Sequence, residues 1–292
     1  MRVRLVLVLA VLAVLSLPAA TGSAVVECNN LTATIVGTPS ADTINGTDGD
    51  DVIVGLGGND IIEGGRGNDT ICGGDGDDTI QGGEGDDDLH GEAGNDTLDG
   101  GAGSDSMLGQ EGNDRLYSGW GAENFLNGQD GNDYILLEQA DPGDDQVVFG
   151  GAGRDTLDLR YVSVPANQAG VHLVLTAAQH NLRRGNCPPP GWACSMLVLE
   201  SGTVQNIEVV YGTQGNDYLA GNAKGNALYG LGGRDYLLGM GGNDRLVGAT
   251  GSDRLEGGDG DDRLRGGAGA DRADGGVGTD DCRAETKTAC EL

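Results

Sequence analysis

Aspartate returns every nine residues through most of this chain, each time behind a run of glycines. Residues 73–81 read G-G-D-G-D-D-T-I-Q and residues 82–90 read G-G-E-G-D-D-D-L-H, so the repeat is G-G-x-G-x-D-x-U-x with U a large apolar residue. Nine regular units start at Gly37, Gly46, Gly55, Gly64, Gly73, Gly82, Gly91, Gly100 and Gly109. Four less regular ones start at Gly119, Gly128, Ala140 and Gly150. Eight more start at Gly212, Gly221, Gly230, Gly239, Gly248, Gly257, Gly266 and Gly275. In 19 of these 21 units the sixth position is Asp: Asp42, Asp51, Asp60, Asp69, Asp78, Asp87, Asp96, Asp105, Asp114, Asp133, Asp145, Asp155, Asp217, Asp235, Asp244, Asp253, Asp262, Asp271 and Asp280. Asn124 and Asn226 are the exceptions. Such turns offer carboxylate and main-chain carbonyl oxygens. Six to eight hard oxygens are what Ca2+ takes, whereas Mg2+ keeps its waters and demands tighter geometry. Zn2+ would want His or Cys. The chemistry is therefore the binding of multiple Ca2+ ions. The competing reading is a solvated acidic face on a disordered Gly-rich chain. That reading suits the metal-free state, because carboxylates one strand spacing apart, ~4.8 Å, repel one another.

The elements that must position these aspartates follow from the same nine residues. Glycine permits positive φ and leaves carbonyls bare, so G-G-x-G-x-D is read as a turn. The triplet x-U-x is read as a short strand with U inward and its neighbours outward. The eighth position is Ile, Leu, Val or Met in 19 units, with Ala273 and Cys282 as exceptions. Two nonapeptides make an 18-residue coil of turn, strand, turn, strand. Stacked coils form two parallel sheets across a thin layer of U side chains, and turns two repeats apart lie over one another at an edge. The fold class is all-β, a solenoid of two repeats per coil.

Composition supports this and excludes other classes. Of 292 residues, 56 are Gly, about 19% where an average protein has roughly 7%. Aromatics are 4%, and 34 of the 46 acids are Asp, a poor helix former, so an all-α fold is excluded. A formal charge of −29 argues against nucleic acid as a partner and against a polybasic membrane contact. At the N-terminus, Arg2 and Arg4 precede an apolar run over 5–17, then Pro18 and small residues. Residues 1–24 read as a signal peptide, too short an apolar run for a typical span, with cleavage expected after Ala24. The expected localisation is secreted and extracellular. Secretion makes Cys28, Cys72, Cys187, Cys194, Cys282 and Cys290 candidate disulfides, and six cysteines allow 15 pairings. Proximity favours Cys187 with Cys194 and Cys282 with Cys290, which leaves Cys28 with Cys72. A zinc site is the alternative, but no CxxC spacing occurs.

The nonapeptide is an established signature of calcium-binding solenoid repeats. The chain resembles the RTX (hemolysin-type) calcium-binding proteins, whose repeats form a parallel β-roll. The stretches C-N-N-L-T-A-T-I-V-G-T, G-L-G-G-N-D, I-C-G-G-D-G-D-D-T-I and D-G-G-V-G-T-D-D-C are similar to those of secreted actinobacterial members. The resemblance implies that each ion sits between turns two repeats apart, held by the position-six Asp of both turns and by glycine-turn carbonyls. It implies about seven sites in the first nine units and about six in the second array, with weaker binding at Asn226.

Residues 159–211 break the period. Residues 171–175, 196–199 and 204–211 read as strands, and 187–194 as a Pro-rich loop stapled by its own cysteines. The expected division is 1–24 signal peptide, 25–158 N-terminal cap strand and first array, 159–211 a non-repeat β segment, and 212–292 second array with a disulfide-capped end. The segment reads as wider solenoid coils; a ligand-binding insert presenting Trp192 to carbohydrate is the alternative. The sequence contains no H-E-x-x-H and no G-x-S-x-G. His90 holds an outward ninth position and reads as solvated rather than ligating. The function expected is a secreted calcium-binding protein that folds as it binds, structural or adhesive and not an enzyme. Cell-wall or matrix glycans are possible partners, and a Ca-dependent enzyme or carbohydrate binder using 159–211 is the alternative.

Overall fold

The computed structural model describes residues 25–121, 123–138, 146–162, 172–174, 204–288 and 290. Those residues form 28 strands and no helix. Strands pair in parallel with the strand 18 residues on: in the strands Thr79–Glu84 and Thr97–Ala102, Ile80 stands beside Leu98. Each coil is therefore two nonapeptides, as the spacing requires. The protein is an all-β, parallel β-solenoid.

One face is a continuous twelve-stranded sheet running from Thr43–Asn45 to Asp281–Arg283. The opposite face is an eight-stranded sheet from Ile35–Val36 to Val204–Gln205 and a six-stranded sheet from His172–Val174 to Thr286–Thr288. The twelve-stranded sheet crosses the break in the repeat directly. Its strand Asp155–Asp158 pairs with Ile207–Tyr211, with a bulge at Asp155/Thr156. The strand expected over 171–175 appears as His172–Val174, and 204–211 as Val204–Gln205 and Ile207–Tyr211. Residues 196–199, Trp192 and the Cys187/Cys194 pair lie outside the described residues.

The core is a single file of position-eight side chains. Ile53, Ile71, Leu89, Met107 and Leu126 on one face, and Ile62, Ile80, Leu98 and Leu116 on the other, are at most 1% exposed. Ala273 and Cys282 keep the same place with less volume. The unit starting at Ala140 is out of phase by one residue. Val148, not Val147, pairs with Leu126 and is fully buried.

The strands are longer than the expected triplets. Regular units run six residues, as in Thr79–Glu84, covering positions seven to nine and the first three of the next unit. Only positions four to six turn. The cause is the second position, which has positive φ and acts as a kink inside the ladder rather than as its end. Gly83 has φ +121°, and a Cβ there would lie 2.1 Å from the Gly65 carbonyl oxygen. Leu56, Glu92, Gln110, Gln129, Leu231, Met240 and Ala249 hold the same position with φ of 74–82°. These left-handed side chains are a local cost that the stacked ladder imposes.

Both ends are closed by covalent staples. The antiparallel hairpin of Glu27–Cys28 and Leu31–Thr32 lies outside the eight-stranded sheet, where Cys28 bonds Cys72 and packs on Val54. Cys282, the last position-eight residue, bonds Cys290. Cys282–Cys290 is a pair that proximity favoured, and Cys28–Cys72 is the pair that it left over. His90 is not solvated as expected. It is 9% exposed, its Nε2 3.2 Å from Asp88 Oδ1, and Asn29 of the hairpin turn donates to Asp88 Oδ2 at 2.7 Å.

Candidate metal centre

Every coil edge carries a ladder of aspartates. In most units the backbone N–H of the position-six residue donates to Oδ1 of the Asp two units on. Asp60 donates to Asp78 at 2.7 Å, Asp78 to Asp96 and Asp96 to Asp114 at 2.8 Å, along one edge. Asp51, Asp69, Asp87 and Asp105 form the other edge in the same way. In the second array Asp217, Asp235, Asp253 and Asp271 share one edge, and Asp244, Asp262 and Asp280 the other. Asp78 and Asp96 are thus neighbours, whereas Asp87 is not in their column.

The second oxygen is where metal chemistry enters. Oδ2 of Asp60, Asp69, Asp78, Asp87, Asp96, Asp105, Asp114, Asp133 and Asp155 is buried without a hydrogen-bond partner. So is Oδ2 of Asp235, Asp244, Asp253, Asp262, Asp271 and Asp280. All but that of Asp280 lie against the first glycine of their own unit. A Cβ on Gly73 would lie 2.3 Å from Asp78 Oδ2 and 2.9 Å from the carbonyl oxygen of Gly91, two units on. Position one is glycine because a carboxylate and a carbonyl converge there. A buried anionic oxygen with no donor is costly unless a cation meets it. The donors are all oxygen, which fits Ca2+. No group of three or more His, Cys, Asp and Glu gathers among the described residues. The residues that would hold each ion are the stacked position-six aspartates, supplemented by glycine-turn carbonyls.

Not every aspartate fits. Oδ2 of Asp42 accepts the Thr38 N–H at 2.6 Å and its hydroxyl at 2.8 Å. Asp51 takes the same two bonds from Thr47, at 2.7 and 2.8 Å. Asp217 accepts the N–H of Thr213 at Oδ2 and its hydroxyl at Oδ1. These turns open each array, and a Thr at position two closes them from within. The two asparagines close theirs as well. Asn124 Nδ2 donates to the Ser118 carbonyl at 3.2 Å, and Asn226 Oδ1 accepts the Asn222 N–H at 2.8 Å. Asp145 lies outside the described residues. The one-residue phase shift puts Gln146 at position six of that unit, with its Nε2 donating to the Gly121 carbonyl at 3.1 Å.

Three features escape the repeat pattern. Glu208 replaces the position-six Asp after Asp155: its Oε2 accepts the Asp155 N–H at 3.1 Å, and its Oε1 meets Lys224 Nζ at 2.8 Å. Lys224 stands where other units carry glycine, so an ammonium supplies the positive charge at the junction. Glu285 ends the other column by accepting the Asp271 N–H at 2.8 Å. No period announces either glutamate. Position five forms a second, exposed ladder of opposite polarity. Asn95, Asn113 and Asn132 each donate their N–H to the side-chain oxygen of Asp77, Asn95 and Asn113 respectively, at 2.8–3.0 Å. The frequent Asn, Asp and Ser at position five is the sequence signal for it.

Without a cation, burial pushes several of these carboxyls up, reinforced by like-charged neighbours. Asp78, Asp105, Asp114 and Asp253 reach about 6, and Asp87, Asp96, Asp155 and Asp244 about 7. Asp235 reaches about 9. Burial also acts to raise Asp51, but the Thr47 bonds outweigh it and hold that carboxyl below its ordinary value.

Two outcomes follow from this geometry. The unfolded Asp value is about 3.9. A folded value raised above it stabilises the fold at low pH, and the stabilisation is lost as pH rises through the folded value. In chelator, the folded fraction should rise as pH falls from about 8 to about 5. With Ca2+ the trend should reverse, because the ion needs ionised carboxylates; circular dichroism against pH in both conditions is the check. Separately, Asp78→Ala and Asp96→Ala should be non-additive in calcium-dependent stability, with coupling of about 1 kcal/mol or more. The pair Asp78→Ala and Asp87→Ala should couple less. A double-mutant cycle giving equal coupling would reject the shared-edge assignment.

A model of the RTX calcium-binding nonapeptide repeat matches residues 36–71, 73–107, 90–122, 99–135, 140–159, 211–246 and 247–282, more than half of the chain. A search of curated proteins gave no match. The repeat match, the 18-residue coil and the bare carboxylate oxygens agree, and the chain belongs to the RTX calcium-binding nonapeptide repeat family, with multiple Ca2+ ions as its ligands.

Proposed function

We propose that this calcium-binding β-roll is secreted, that residues 1–24 are removed on export, and that the chain folds as it takes up Ca2+ outside the cell. The observation that carries the reading is the two columns of buried Oδ2 atoms without donors. In a cell interior poor in free Ca2+ those oxygens have no counter-charge, and the unfolded chain is favoured. At millimolar external Ca2+ the binding free energy becomes folding free energy. Cysteines bonded at both ends suit an oxidising compartment. Among the described residues no helix is long and apolar enough to cross a membrane.

The role of the folded roll is proposed to be structural or adhesive and not enzymatic. The histidines are three, His90, His172 and His180. His90 is buried, and its ring faces Asp88 and Gln110. The four divisions at 1–24, 25–158, 159–211 and 212–292 are retained in this proposal. An enzyme or carbohydrate binder built on 159–211 gains no support from the described residues.

Mature protein in excess chelator should lack β-sheet signal in circular dichroism, and Ca2+ should restore it where equimolar Mg2+ does not. A sheet signal indifferent to chelator would falsify the coupling of folding to calcium.

A further inference from the structure

We propose that the outer face of the twelve-stranded sheet, at its C-terminal end, docks an anionic polysaccharide. The proposal rests on the extracellular adhesive reading and names the partner chemistry. Position nine in the last coils follows the 18-residue coil, with Arg265 and Arg283 on this face and Glu256 and Asp274 on the other, while position seven keeps Arg at 245, 254, 263 and 272. The strands Arg245–Thr250, Arg263–Ala268 and Asp281–Arg283 are neighbours in this sheet, with Arg245 beside Arg263 and Arg265 beside Arg283. Positions seven and nine project to the same side of a strand. Four guanidiniums therefore share one outward grid, on strands ~4.8 Å apart. Like charges in adjacent registers destabilise a sheet. This chain, at −29, has acids to spare for breaking that pattern and does not use them here.

The opposite face of the same coils shows the contrast. There Arg254 is ion-paired with Glu256, and Asp274 occupies the next place in the Glu256 column. On the arginine face Asp281 is the one acid in the three strands, 3.8 Å from Arg283 Nε. Arg263 and Arg265 have no ion-pair partner among the described residues. An open groove of about 540 Å³ is lined by Arg265, Gly267, Arg283, Ala284 and Glu285. The Glu285 carboxylate in it is already engaged by the Asp271 N–H.

The neighbouring part of the face is aromatic. Tyr211 and Tyr229 stack with centroids 4.7 Å apart and planes 11° apart, and the Arg245 guanidinium lies 5.8 Å from the Tyr229 centroid. Arg160 lies over Tyr211 in turn, 5.2 Å from its centroid, so the stacked rings are already engaged and extend the row of guanidiniums. A guanidinium grid matches sugar rings carrying carboxylate or sulfate, whose anions take paired N–H donors. Duplex DNA would bring one phosphate per ~1.7 Å into the field of a strongly acidic chain. A more sparsely charged glycan meets less repulsion.

The test uses the full mature chain loaded with Ca2+ and three probes: lightly carboxymethylated dextran, neutral dextran and duplex DNA. Carboxymethylated dextran should bind, weakening as salt rises. The triple variant Arg263→Gln, Arg265→Gln, Arg283→Gln should lose about ten-fold or more in affinity. The pair Arg254→Gln, Arg272→Gln on the opposite face should stay within about two-fold of wild type. Calcium-induced circular dichroism is recorded for every variant, so failure of the folding reading is visible apart from failure of docking. If the triple variant does not fold, Arg265→Gln alone must still weaken binding. Unchanged affinity in the folded triple variant, equal binding of neutral dextran, or tighter binding of DNA would each overturn the assignment.

Discussion

A carboxylate oxygen buried beside glycine, with no proton donor in reach, is the constraint on which this structure turns. It sets the residue at position one, since any Cβ there would occupy the space the oxygen and a stacked carbonyl share. It sets the residue at position six, whose other oxygen is already committed to the backbone N–H of the coil before. The apolar core cannot carry the fold by itself. One large side chain per nine residues contributes about 1.5–3 kcal/mol, while each ordered residue costs about 1 kcal/mol or more in backbone entropy. The stacked ladder and the ions must supply the remainder, which is why the electrostatic sign of the column decides whether the chain folds.

The chain ends and interrupts its columns by supplying its own counter-groups. Thr38, Thr47 and Thr213 close the opening turns with an amide and a hydroxyl each. Asn124 replaces an anionic oxygen by an amide that donates to Ser118. At the break in the repeat, Glu208 continues the ladder and Lys224 neutralises it. The twelve-stranded sheet therefore passes from one array to the other at a point where a side-chain ammonium stands in the ionic column.

Much of this was legible from spacing alone. The Asp and U positions define the 18-residue coil, the two edges and the inward column, because a period of nine with one apolar residue per strand has few ways to bury it. The strand lengths were not legible: they depend on position two holding positive φ even in Leu56 or Ala249, which propensity disfavours. The phase of the unit at Ala140 was misread because 140–148 contains both Asp145 and Gln146 before two valines, and only the pairing with Leu126 chooses between them. Glu208 lies in the aperiodic segment and Lys224 in a repeat unit 16 residues on, so no local pattern could join them. His90 looked solvated because its neighbours are not local: Gln110 lies 20 residues on, and Asp88 is itself bonded by Asn29, 59 residues earlier.

The most direct test is the location of bound calcium in crystals of the Ca2+-loaded protein, read from anomalous difference density. Density is predicted beside the donor-less Oδ2 atoms, such as those of Asp78, Asp87 and Asp96, and not at the Glu208–Lys224 pair or within the turn that Thr47 closes on Asp51. A folded, calcium-loaded protein with no density at the donor-less oxygens, or with equal density in the closed turns, would contradict the account.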